Sequence, residues 1–121
     1  MAEKILIVDD DPQTVKYLSI FLKRLGYETL EALEGLHALK LAHEQHPDLI
    51  VLDVVMPGRN GFQACRDLKS DDRFKGIPIV LCTSKGQESD KFWGQQQGAN
   101  GYVVKPFKAE DLVAAVKRAL N

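Results

Sequence analysis

Four polar positions stand at the ends of apolar runs, and together they hold the chemistry of this chain. Lys4-Ile5-Leu6-Ile7-Val8 runs into Asp9-Asp10, and Leu49-Ile50-Val51-Leu52 runs into Asp53. Ile77-Pro78-Ile79-Val80-Leu81-Cys82 runs into Thr83-Ser84, and Gly101-Tyr102-Val103-Val104 runs into Lys105. Folding alone does not ask for a carboxylate at such a place, since burying one costs roughly several kcal/mol unless a cation or hydrogen bonds compensate. If the runs are neighbouring strands, three carboxylates, a hydroxyl and an ammonium meet at one sheet edge. Clustered carboxylates repel one another and demand a hard cation, and Mg²⁺ takes oxygen ligands while leaving room for a phosphate. A carboxylate beside Mg²⁺ can attack phosphorus and hold it as an acyl phosphate. The phosphoryl oxygens then need positive charge and donors, which Lys105 and Thr83 supply. The set reads as a site that accepts a phosphoryl group on Asp53.

Each residue also has a plainer role. Asp11, directly before Pro12, suits a helix N-cap better than a metal ligand. Asp9 and Asp10 alone could be solvated turn acids, Thr83 a cap for the following helix and Lys105 a surface lysine. It is the joint occurrence at four run ends that favours the site. Ser84 has no assigned role. His37, His43 and His46 lie on or beside one helix with no partner set and read as surface residues.

Positioning these groups takes alternating strands and helices. Helical spacing follows the first run (Val15, Leu18, Phe21, Leu22, Leu25, closed by Gly26). Tyr27 to Ala32 is a more polar strand, suited to the sheet edge. Glu34 to Gln45 reads as a second helix with Leu36, Leu39 and Ala42 inward, ended by His46-Pro47. Phe62, Cys65 and Leu68 mark a third helix. Gln87 to Gln97 is a poor fourth helix, with Phe92 and Trp93 its large apolar residues and Gly94 weakening it. Ala109 to Leu120, with Leu112, Val113, Val116 and Leu120 as its stripe, is the fifth. Five such alternations imply an α/β fold, a parallel sheet covered on both faces with right-handed crossovers. Ligands of such sheets bind at the carboxyl ends of the strands.

The 121 residues suit one domain, here residues 1–121, and a net charge of −1 gives no general pull toward nucleic acid or anionic membrane. No apolar run approaches a membrane span and no signal-peptide pattern opens the chain. Cys65 and Cys82 show no paired motif and read as reduced, buried residues of a cytoplasmic protein.

In order and spacing, Ile5-Leu6-Ile7-Val8-Asp9-Asp10-Asp11-Pro12, Leu52-Asp53-Val54-Val55-Met56-Pro57-Gly58 with Gly61, Leu81-Cys82-Thr83-Ser84 and Gly98-Ala99-Asn100-Gly101-Tyr102-Val103-Val104-Lys105-Pro106-Phe107 resemble the receiver domain of two-component response regulators. The resemblance covers essentially the whole chain. It implies a flavodoxin-like (βα)5 doubly wound sheet in strand order 2-1-3-4-5. It implies Asp53 as phosphoacceptor from a histidine kinase or phosphotransfer protein. It also implies Mg²⁺ held by Asp10, with Asp9 in support, and by Asp53 and the Val55 carbonyl. Thr83 and Lys105 would contact the phosphoryl oxygens, and Tyr102 would turn inward behind Thr83 as part of the switch. The Lys105-Pro106 bond is similar to one that is cis in the family. The output surface would be the fourth helix, fifth strand and fifth helix. Phe92 and Trp93 are adjacent, so both cannot point squarely at the core, and one is expected partly exposed there.

The receiver uses up the chain, so output is expected in trans through a partner protein, from a monomer or weak dimer. That pattern is similar to the single-domain chemotaxis and motility regulators, and Lys91 to Ala99 resembles the type IV pilus twitching-motility members. A phosphorelay intermediate or phosphate sink is the alternative. Val55 and Lys85 stand where the family frames the attacking water; valine cannot orient a water, so slow autodephosphorylation is expected rather than enzyme turnover. Rival classes fit less well. Haloacid-dehalogenase-type phosphatases need a second Asp two residues after the nucleophile, where Val55 stands. A flavodoxin-like cofactor binder needs a phosphate loop where Asp9-Asp10-Asp11 would repel a phosphate.

Overall fold

The fold follows from three strands whose residues leave little room for solvent. In the computed structural model, which describes residues 2–54, 61–84 and 86–120, the elements are β1 (Lys4–Val8), α1 (Pro12–Arg24), β2 (Glu28–Ala32), α2 (Gly35–Gln45) and β3 (Leu49–Leu52). They continue as α3 (Gly61–Ser70), β4 (Ile79–Thr83), α4 (Glu88–Gln96), β5 (Gly101–Val104) and α5 (Ala109–Leu120). All five strands pair in parallel in the order β2-β1-β3-β4-β5. β2 is indeed an edge, and its polar residues Glu28 and Glu31 are exposed.

Strand alternation sorts the core into two layers. Leu6, Val8, Ile50, Leu52, Ile79 and Leu81 face Ala38 and Ala42 of α2 and Phe62, Cys65 and Leu68 of α3. Ile5, Ile7, Leu49, Val51, Val80 and Cys82 face Val15, Leu18 and Leu22 of α1 and Leu112, Ala115 and Val116 of α5. Ser19, fully buried in α1, shares a 2.6 Å hydrogen bond with the Thr29 hydroxyl, which ties α1 to β2. The Asn100 side-chain oxygen accepts from the Ile79 N–H at 2.9 Å, while the Asn100 backbone N–H donates to the Ile79 carbonyl at 2.7 Å. This clamp sets β5 beside β4.

One helix, α2, differs from its sequence reading, and in α4 the expected exposure of one aromatic extends to both. Leu36 is not inward: it is 71 % exposed, and α2 turns Gly35, Ala38 and Ala42 to the core, with Leu39 half-buried. The small residues let α2 lie close against the sheet. In α4, Phe92 and Trp93 are 60 % and 52 % exposed, and the buried residue is Gly94. A Cβ there would come within 3.0 Å of Leu81 and 3.1 Å of the Tyr102 ring. Gly94 is therefore the contact that seats α4, and its absent side chain is what makes the seat.

Candidate functional site

The strand ends converge because the ladders run on into the polar residues. The Asp53 N–H donates to the Val8 carbonyl at 3.0 Å, which sets Asp53 beside Asp9 across the β1–β3 pair. The Lys105 N–H donates to the Thr83 carbonyl at 2.8 Å, which sets the β5 end beside the β4 end. β1 and β3 flank the point where the strand order reverses, the place where open α/β sheets open a crevice.

Asp9 (3 % exposed), Asp53 (6 %) and Thr83 (0 %) are buried, while Asp10 is exposed. Asp9, Asp10 and Asp53 each offer a carboxylate oxygen, all within 4.8 Å of one another. Lys105 Nζ donates to Asp9 Oδ2 at 2.6 Å and to Asp53 Oδ2 at 3.5 Å. Asp9 Oδ1 also accepts the Asp11 N–H at 3.0 Å, so both oxygens of the buried acid are engaged. Burial works against the Lys105 ammonium, but the hydrogen bond it donates to Asp9 and the nearby Asp53 charge outweigh it, and its pKa is raised. The Lys105-Pro106 peptide bond is cis.

The donor set fits a hard divalent cation. Among the described residues three carboxylates face the Lys105 ammonium, an excess of negative charge that a cation would offset. All three donors are oxygens, the ligand type Mg²⁺ takes. Asp10 gives the cluster an open side. The fourth expected ligand, the Val55 carbonyl, lies outside the described residues, as does Lys85.

The remaining sequence candidates divide. Asp11 is a cap: its side chain accepts from the Gln13 N–H at 3.0 Å and the Thr14 hydroxyl at 2.8 Å, which holds its pKa below the usual carboxylate value. Tyr102 is half-buried, lies over Gly94 with its ring, and has its pKa pushed up to about 12, chiefly by burial. His37, His43 and His46 are exposed. His43 Nδ1 lies 3.1 Å from an Arg73 guanidinium nitrogen, away from the carboxylate cluster. Cys65 and Cys82 are free and buried, as expected.

Trp93 is exposed on α4, as expected of one of the two adjacent aromatics. Lys91 and Tyr102 border a cleft with α5, but Trp93 lines a groove with Arg66, Lys69 and Ser70 of α3. Sequence reasoning passed over that α3 face. The available signal was Arg66 and Lys69, three residues apart and so on one helical face.

Comparison with known proteins agrees with this architecture. The model of the response regulator receiver domain matches residues 5–117. Protein PilH of Pseudomonas aeruginosa is 42% identical over 117 residues, 97% of each chain. The DNA-binding response regulator MtrA of Mycolicibacterium smegmatis is 42% identical over 121 residues, and there this chain spans 52% of the relative's length. The structure of chemotaxis response regulator CheY4 of Vibrio cholerae is similar with a TM-score of 0.93 at 33% identity, covering 99% of this chain and 100% of that one. Among the described residues no helix is long and apolar enough to cross a membrane.

Proposed function

The chain belongs to the response regulator receiver domain family of two-component signalling, and from that premise we propose that Asp53 is its phosphoacceptor. The observation that carries the reading is the buried Asp53 carboxylate, grouped with Asp9 and Asp10 within 4.8 Å and facing the Lys105 ammonium at 3.5 Å. An Asp53 oxygen attacks the phosphorus of a phosphohistidine on a histidine kinase or phosphotransfer protein. A P–O bond forms, the P–N bond breaks, and the imidazole leaves with the electron pair and takes a proton. Asp9, Asp10 and Asp53 would hold Mg²⁺, which offsets the negative charge that builds up as the phosphoryl group arrives. Lys105 exchanges part of its hold on Asp9 and Asp53 for a phosphoryl oxygen, and the Thr83 hydroxyl at the β4 end turns to another.

Arrival of the group adds about 1.5 to 2 negative charges at a pocket lined by Thr83 and Lys105. Tyr102, on β5 between that pocket and α4, passes the change to the α4–β5–α5 surface, where a partner protein reads it. We place the pathway in motility or chemotaxis signalling of the cytoplasm, on the likeness to Protein PilH and to a chemotaxis response regulator. The test is intact-mass measurement after incubation with a small acyl phosphate. One phosphoryl group is expected on the wild type with Mg²⁺, and none with chelator or in Asp53→Asn. Equal labelling of Asp53→Asn would refute the assignment.

A further inference from the structure

The α3–α4 groove belongs neither to the carboxylate pocket nor to the α4–α5 cleft. It has a volume of about 510 Å³ and is lined by Arg66, Lys69 and Ser70 from α3 and by Trp93, Gln96 and Gln97 at the end of α4, closing at Gly98. Two of its lining residues, Gln97 and Lys69, are held by hydrogen bonds. The Cys65 thiol reaches the Gln97 carbonyl at 3.5 Å, and the Lys69 ammonium donates to the Ile77 carbonyl at 2.9 Å. The Lys69 stem passes over Gly98, whose φ of 93° turns the chain out of the helix and whose missing side chain leaves the stem its place. Trp93, 52 % exposed, stands as an aromatic wall.

The lining carries two cations and, among the described residues, no carboxylate. Burial holds the Lys69 ammonium below its usual pKa, so an arriving anion would return charge stabilisation that the lysine has lost. Tryptophan and arginine are the side chains that most often anchor protein interfaces, and the Gln96 and Gln97 amides can pair with a backbone. A partner suited to this groove offers carboxylates to Arg66 and Lys69 and an apolar side chain to Trp93.

We propose that the α3–α4 groove is a docking site for an acidic, apolar-anchored segment of a partner protein, with Trp93 as the anchor and Arg66 and Lys69 as the charge readers. The proposal extends the functional reading to a second face of α4, and rests on that reading only for the purpose the docking serves. Gly94, next to Trp93, touches the Tyr102 ring, so one helix presents the groove on one side and meets the switch residue on another.

Trp93 is the chain's single tryptophan, and its fluorescence reads the groove directly. Titration of the full chain with a synthetic peptide of alternating glutamate and leucine is expected to shift the emission saturably, less so as salt rises. The matching lysine–leucine peptide is expected to leave it unchanged. Arg66→Glu, an exposed position, and Gln96→Glu, which places a carboxylate in the groove, are each expected to weaken binding by about tenfold. Lys91→Glu, on the α5 side, is expected to leave it intact. An equal response to the lysine peptide, a response to oligothymidylate in place of the acidic peptide, or loss of binding in Lys91→Glu but not Arg66→Glu would each overturn the proposal. Repeating the titration with Mg²⁺ and beryllofluoride separates the two readings: acidic-peptide binding that beryllofluoride leaves unaltered upholds the groove and counts against the switch.

Discussion

Among the described residues Lys105 sets one positive charge against three carboxylates, and this excess of negative charge frames the chemistry at the level of single residues. A divalent cation relieves it, so binding should appear as stability. At ten times Kd the linkage is about 1.4 kcal/mol, which for a domain of this size raises Tm by about 5 °C. Thermal unfolding with and without Mg²⁺ measures this; Asp53→Asn, which removes one of the three charges, is expected to gain less than half as much, and an equal gain in both would contradict the ligand set. The buried thiols give a pH prediction. Burial pushes the Cys65 pKa up to about 11 and that of Cys82 up to about 12. A raised acid pKa means the folded chain holds its proton longer than the unfolded chain does. The resulting stability is whole below the unfolded value of 9.0 and falls as pH climbs toward 11 and 12. Urea midpoints should therefore drop above about pH 9, and Cys82→Val should flatten the drop; a slope unaltered by the substitution would disprove the cause. Both thiols should also resist iodoacetamide at neutral pH until the chain is unfolded. Phosphoryl lifetime turns on residue type too. Valine at position 55 cannot orient a water, so Val55→Asn is expected to shorten the lifetime several-fold, and an unchanged half-life would remove the argument.

At the scale of elements, the instructive case is α4. Glycine inside a helix costs about 1 kcal/mol relative to alanine, so Gly94→Ala ought to stabilise if propensity ruled. The Leu81 methyl and the Tyr102 ring at 3.0 and 3.1 Å stand in the way of the new Cβ. We therefore expect no gain, or a loss, in urea unfolding, together with a shift of the Tyr102 ring resonances; a full gain with unmoved resonances would show the seat to be loose. Leu36 is the complementary case. At 71 % exposed it should accept Leu36→Lys within about 0.5 kcal/mol. These two positions show where the sequence misleads. Periodicity counts apolar side chains, and where a helix packs through Gly35, Ala38 and Ala42 or through Gly94, the residues that make contact are the ones that periodicity weighs least. The large residues then stand outside, free for partners. The same blindness hid the Trp93 groove, whose other wall comes from α3, a helix that spacing alone does not bring beside α4.

At the scale of the molecule, most of the architecture was legible. The continuous apolar runs of β1, β3 and β4 fit only strands buried on both faces, and the alternation with helices leaves a parallel sheet. The order β2-β1-β3-β4-β5 did not come from the runs themselves; it came from the likeness to receiver domains. The site was legible for a related reason: Asp9, Asp53, Thr83 and Lys105 each end a run, so a parallel sheet must carry them to the same edge. What spacing could not show is the division of labour there. Asp9 is buried and takes the short contact from Lys105, while Asp10 faces outward. A phosphoryl-accepting pocket at that edge must carry the group on Asp53. Its most direct test is borohydride trapping after exposure to an acyl phosphate and Mg²⁺, which reduces an aspartyl phosphate to homoserine, followed by peptide mass spectrometry. Homoserine is expected at position 53 alone and is lost when Mg²⁺ is chelated. Homoserine at position 9 or 10, or none at any position, would contradict it.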